Sequence, residues 1–100
     1  MVRAKDVDRI KRVLARHKDE LREKFRVKDI GVFGSYVRGE QRKRSDVDIL
    51  VEFEAPVGFF EFIALENHLS DLLGVKVDLV SKKALKPRIG ERILKEVTRV

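Results

Sequence analysis

One hundred residues, 43% of them apolar, make one domain spanning 1–100 with a single core. The chain lacks cysteine, which excludes disulfides and thiolate metal centres, and its two histidines give little basis for a zinc site. No apolar run approaches the roughly 20 residues of a membrane helix, and residues 1–20 are charged throughout with no apolar signal segment, so a cytoplasmic protein is expected. The net charge of +6 suits nucleotides, nucleic acid or an acidic partner, but equally a well-solvated surface. A charged fraction of 40%, rich in Lys, Glu and Arg, also occurs in thermophile proteins.

In chain order, Val7, Ile10, Leu14, Leu21 and Phe25 recur at helical spacing and predict an amphipathic helix over residues 1–24. Residues 27–33 read as a first strand, closed by Gly34. Ser35 is placed as the N-cap of a short helix ending near Gly39, and 41–44 reads as a loop. Residues 47–53 form a second strand, with Val47, Ile49, Val51 and Phe53 on one face and Asp48, Leu50 and Glu52 on the other, after Asp46. Pro56 and Gly58 break the chain before a helix over 59–73, for which Gly74 is the C-cap. A third strand covers 75–80, residues 84–87 are irregular or briefly helical, and 89–97 is a last helix running into a short strand at 97–100. The order α-β-α-β-α-β-α implies an α/β (α+β) fold: a small mixed sheet of three to four strands flanked by helices. The pattern leaves the pairing directions open.

The chemistry concentrates in two places. A glycine ending a strand lets backbone approach a ligand closely, and the N–H groups of a following helix start, with the Ser35 hydroxyl, suit phosphate oxygens. Alone, Gly-Ser is ordinary turn punctuation; its weight comes from the acids downstream of it. Asp46 and Asp48 alternate in an otherwise apolar strand and so stand on one face, a few ångströms apart, where like charges repel. Hard oxygen ligands of this kind suit Mg²⁺. Asp78 is a lone acid in the third strand. If strands two and three are neighbours, it joins the pair, and three carboxylates could then hold two metal ions. Arg38 sits on the first helical turn after Ser35, within reach of a phosphate; Arg42, Lys43 and Arg44 suit a solvated charged loop. His17 and His68 read as surface or structural residues, and Tyr36, Phe59, Phe60 and Phe62 as packing residues, with Phe59 or Phe60 able to line a pocket.

Gly34-Ser35-Tyr36-Val37-Arg38-Gly39 with Ser45-Asp46-Val47-Asp48 resembles the two-part GSxxRG…SDxD signature of the minimal nucleotidyltransferases, in the DNA polymerase β-like superfamily. One departure is Val37, where relatives often have Ala. The resemblance covers nearly the whole chain and implies a palm-like nucleotidyltransferase fold. It implies that Gly34 and Ser35, with Arg38 and Ser45, bind the phosphates of ATP or another NTP. Asp46, Asp48 and Asp78 would be catalytic and hold two Mg²⁺ ions, with Asp78 also a base for the acceptor hydroxyl. It further implies a HEPN-type toxin partner bearing an acceptor tyrosine, with this chain as the antitoxin. A homo- or hetero-oligomer is compatible with that role, whereas direct nucleic-acid binding is not expected. Transfer to a small molecule such as an antibiotic, or neutralisation of the partner by binding alone, are the competing expectations.

Overall fold

The computed structural model describes residues 4–40 and 46–100, with side chains from residue 7 onward. Four strands, β1 (Val27–Phe33), β2 (Val47–Phe53), β3 (Val77–Ser81) and β4 (Thr98–Arg99), form one sheet in the order β3-β2-β1-β4. β1 runs antiparallel to β2 and to β4, while β2 and β3 are parallel. A parallel pair needs a crossover, and α4 (Phe59–Leu73) supplies it.

One face of the sheet is fully covered. Val32, Val47, Ile49 and Val51 are sealed there with Leu65, Leu69 and Leu73 of α4, which fall at i, i+4 and i+8 along one helical stripe. Ile10 and Leu14 of α1 (Ala4–Arg16) and Leu21 of α2 (Lys18–Phe25) complete this core. Val27 joins Ile30 and Val32 although its odd spacing from Ile30 would put it on the other face. The ladder slips between Val27 and Asp29, a bulge whose extra residue turns Val27 inward.

The first helix is not continuous. It breaks at His17, whose backbone leaves helical geometry (φ −102°, ψ 8°), and the imidazole Nδ1 lies 2.9 Å from the Val13 carbonyl. The 3.6-residue period continues across the break because both segments bury their apolar positions against the same sheet, so periodicity alone does not register it. At the short helix α3 (Ser35–Arg38) the cap is Gly34, not Ser35: the Gly34 carbonyl accepts the N–H groups of Val37 and Arg38, both at 3.1 Å. The third strand starts at Val77 and ends at Ser81, a shift toward the C-terminus from the expected span. A 3₁₀ turn over Lys82–Ala84 follows, and α5 (Pro87–Glu96) begins earlier than expected because Pro87 sits at its first turn, where its missing N–H costs nothing.

Phe59 and Phe60 are not packing residues. They stand 72% and 85% exposed at the start of α4, in edge-to-face contact with each other. Phe62 packs partly against the core and meets Phe53 edge-on.

The edge strand β3 is held by side chains of the crossover helix. The Val77 N–H donates to Ser70 Oγ (3.0 Å) and the Leu79 N–H to Glu66 Oε2 (2.9 Å). Asp78 lies between these two anchors, so its place on the sheet is fixed from both sides.

Candidate active site

The other face of the sheet, only partly covered by α5, carries the candidate residues. In the parallel ladder Asp48 is the direct partner of Asp78, and in the antiparallel ladder it is the partner of Phe33, the residue before Gly34. Two strand pairings therefore bring the second carboxylate, the third carboxylate and the glycine turn to one end of the sheet. Asp46 lies immediately before β2 and is half-buried. Ser45, together with Arg42, Lys43 and Arg44, falls outside the described residues.

Gly34 is required by geometry. Its φ of +79° is a conformation that L side chains rarely adopt, and a Cβ there would collide with the Asp48 carboxylate. The absence of a side chain is what lets the turn sit against the carboxylate.

Burial pushes the Asp48 carboxyl above its ordinary range; the neighbouring charges of Asp78 and Asp46 push it further, and Arg38 only partly offsets them. The arrangement is one of like charge only partly relieved. Hard carboxylate oxygens whose mutual repulsion a cation would relieve fit a divalent ion such as Mg²⁺. Among the described residues no three acid or imidazole side chains converge into a ready-made cage, so the fit is one of charge and donor type.

The anion-binding side is built from Gly34, α3 and α5. α3 is a single turn, too short for a large macrodipole, so attraction for an anion rests on individual groups, the Gly34 N–H and Arg38 among them. Both are engaged by Glu96, the last residue of α5. Gly34 N donates to Glu96 Oε2 (2.9 Å) and Arg38 Nη1 to Glu96 Oε1 (2.5 Å), while Arg38 Nε donates to Glu40 (2.6 Å). Partial burial works to raise the Glu96 carboxyl, but the Gly34 N–H and the Arg38 guanidinium overcome it and hold the group below its ordinary range. The two carboxylates in turn raise the Arg38 guanidinium.

Phe33, Gly34, Arg38, Asp48, Arg92 and Glu96 are among the residues lining a cleft of about 280 Å³. A larger hollow of about 450 Å³ lies at the opposite ends of β2 and β3, between Phe53, Pro56, Val57 and Lys83, away from the acids and the glycine turn. The smaller cleft is the one that holds the candidate residues.

Sequence reading missed Arg92 and Glu96. Neither belongs to a motif, and Glu96 lies 62 residues from its partner Gly34. Only the apolar alternation that carries α5 back to β4 hints that this segment crosses the site.

A family model described as a nucleotidyltransferase domain matches residues 14–100. The protein adenylyltransferase MntA of Thermococcus cleftensis is 53% identical over 94 residues, covering 94% of this chain and 95% of that relative. A solved structure described as a minimal nucleotidyltransferase superposes with a TM-score of 0.75 at 36% identity, over 91% of this chain and 95% of the other. A toxin–antitoxin crystal structure with AMP-PNP gives a TM-score of 0.72 at 24% identity, over 85% of this chain and 69% of the other, a likeness of fold.

Proposed function

This chain belongs to the nucleotidyltransferase domain family, and from that premise we propose that it transfers AMP from ATP, with Mg²⁺, to a hydroxyl of a protein partner. The observation that carries the reading is the pairing of Asp48 with Asp78 beside the glycine turn: an acid pair with no folding purpose, abutting backbone that only a glycine permits. The name of the Thermococcus relative supports adenylyl transfer to protein. The toxin–antitoxin setting of the AMP-PNP structure supports a toxin as the partner and an antitoxin role for this chain; a HEPN-type toxin with an acceptor tyrosine extends the reading from the motif resemblance.

In this mechanism Gly34, Ser35 and Arg38, with Ser45, hold the β- and γ-phosphates. Holding them fixes the α-phosphorus for in-line attack by the acceptor hydroxyl, so positioning supplies much of the rate. Asp78, exposed at the sheet edge, takes the hydroxyl proton as the new P–O bond forms and pyrophosphate leaves. Asp46, Asp48 and Asp78 are the residues that would hold Mg²⁺. When bound, the metal supplies charge stabilisation for the attacking and leaving oxygens. Mutual repulsion among these carboxylates, already felt in the raised Asp48, favours cation uptake.

The test is label transfer from α-³²P-ATP to a co-purified partner. Wild-type protein with Mg²⁺ labels the partner; Asp46→Asn and Asp48→Asn each lower the rate by on the order of a hundredfold or more while leaving the fold intact. Full activity in both variants would remove the acid pair from the mechanism. Partner binding without any transfer would instead favour neutralisation by binding alone.

A further inference from the structure

The Gly34 N–H and the Arg38 guanidinium are two of the groups assigned to a nucleotide's phosphates, and in this structure both are bonded to the same side chain. A carboxylate from the far end of the chain spans both, one oxygen on each. The contact has the chemistry of a phosphate contact: two anionic oxygens, one taking a backbone N–H and the other a guanidinium.

We propose that Glu96 is a resident competitor for the phosphate site, and that a nucleoside triphosphate binds by taking Gly34 and Arg38 over from it. The inference rests on the nucleotidyl-transfer reading and adds a residue to it. Three features make Glu96 an exchangeable occupant. First, its backbone is fixed: the Val97 N–H bonds Ile93 O, Thr98 and Arg99 pair with Val32 and Gly31, and the Val100 N–H bonds Ile30 O. The exchange therefore needs only a rotation of the side chain. Second, that side chain is partly open to solvent and lines the cleft, so it can leave without repacking the core. Third, Arg92 lies four residues back on α5, lines the same cleft and already attracts Glu96. It offers the displaced carboxylate a partner one turn away.

The consequence is selectivity. A ligand must bring enough negative charge to the site to displace an ion-paired carboxylate. A triphosphate chain does so; the single phosphate of AMP, seated nearer the acids, has nothing to offer at Gly34 and Arg38. Glu96 therefore sets the preference for polyphosphate over monophosphate and is a positioning residue.

Calorimetric titration of the full chain with Mg²⁺ and tripolyphosphate, the β,γ-imido analogue of ATP, or AMP tests this in wild type, Glu96→Gln and Glu96→Ala, with thermal melts to establish folding. If the site is open to ligand about a tenth of the time, both substitutions tighten tripolyphosphate and the analogue by up to about tenfold, and AMP affinity moves by less than about twofold. Folded variants whose polyphosphate affinity is unchanged or weaker would overturn the proposal and make Glu96 a structural clasp. Equal tightening of AMP would overturn the selectivity role. If wild type and every folded variant bind neither tripolyphosphate nor the analogue, the nucleotide reading itself fails and takes this inference with it. Glu96→Ala covers the case in which Glu96→Gln does not fold.

Discussion

On one side of the sheet, Val32, Val47, Ile49 and Val51 lie sealed against α1, α2 and α4. On the other, the same two strands present Gly31, Phe33, Asp48 and Leu50 to α5 and an open cleft. Residues one position apart in sequence thus face opposite demands. The covered side is governed by volume, and every apolar residue on it helps the chain fold. On the cleft side, Asp48 is held where both burial and like charge work against its ionised form. The proposed transfer site therefore lies on the side of the sheet that folding uses least, and its cost is tolerable because the other side is so completely packed.

This division can be broken by substitution, and the effects should fall in a definite order. Leu69→Ala, fully buried on the covered side, should cost about 2–5 kcal/mol in urea unfolding through lost transfer energy and the cavity left behind. A cost below 1 kcal/mol would mean that the core is looser than its burial implies. Gly31→Ala lies on the opposite side, where a Cβ would stand 2.7 Å from Val97 Cγ2 and 2.9 Å from the Thr98 carbonyl. The overpacking should cost about 1–3 kcal/mol and detach β4, with faster amide exchange at Val100. Ser70→Ala removes one anchor of β3 and should cost about 1 kcal/mol, with increased exchange at the Val77 amide. Asp48→Asn has the opposite sign: it should stabilise the chain by about 0.5 kcal/mol, the discount reflecting a half-exposed site. Mg²⁺ should raise the wild-type melting temperature and close that gap. A destabilised Asp48→Asn would show that the carboxylate serves the fold after all.

Acid titration sharpens the same contrast. Asp48 has a raised folded pKa, so the folded chain holds more protons, and stability falls as pH rises from the ordinary Asp range through the raised value. Glu96 has a lowered folded pKa. Its contribution is present above the ordinary Glu range and is lost as pH falls through the lowered value. Comparing wild type with Asp48→Asn and with Glu96→Gln across the acid range should therefore give difference curves of opposite slope.

Much of the fold was legible because it follows short-range rules. The bounds of β1, β2 and α4 agree with the alternation and the helical stripe, and Gly39 and Gly74 end their helices in the left-handed conformation. The break at His17 was not legible, since a kink leaves the apolar period intact. Nor was the exposure of Phe59 and Phe60, because a pattern records that residues are apolar, not that anything covers them. In the site, Gly34, Asp48 and Asp78 announce themselves by chemistry out of place in apolar strands, and their juxtaposition needed only adjacent strands. Glu96 is different. It is an ordinary acid at the end of a surface helix, and its meaning depends on a contact that no local pattern encodes.

The two side chains that α4 lends to β3 have a consequence for assembly. A bare edge strand recruits other strands by offering unpaired backbone donors. Here the donors of Val77 and Leu79 are already taken by Ser70 and Glu66, so this rim of the sheet offers an incoming chain little to zip onto. Association along it by strand addition is disfavoured, so a partner that presents a hydroxyl to Asp78, as proposed above, would arrive over the cleft face, side chain first.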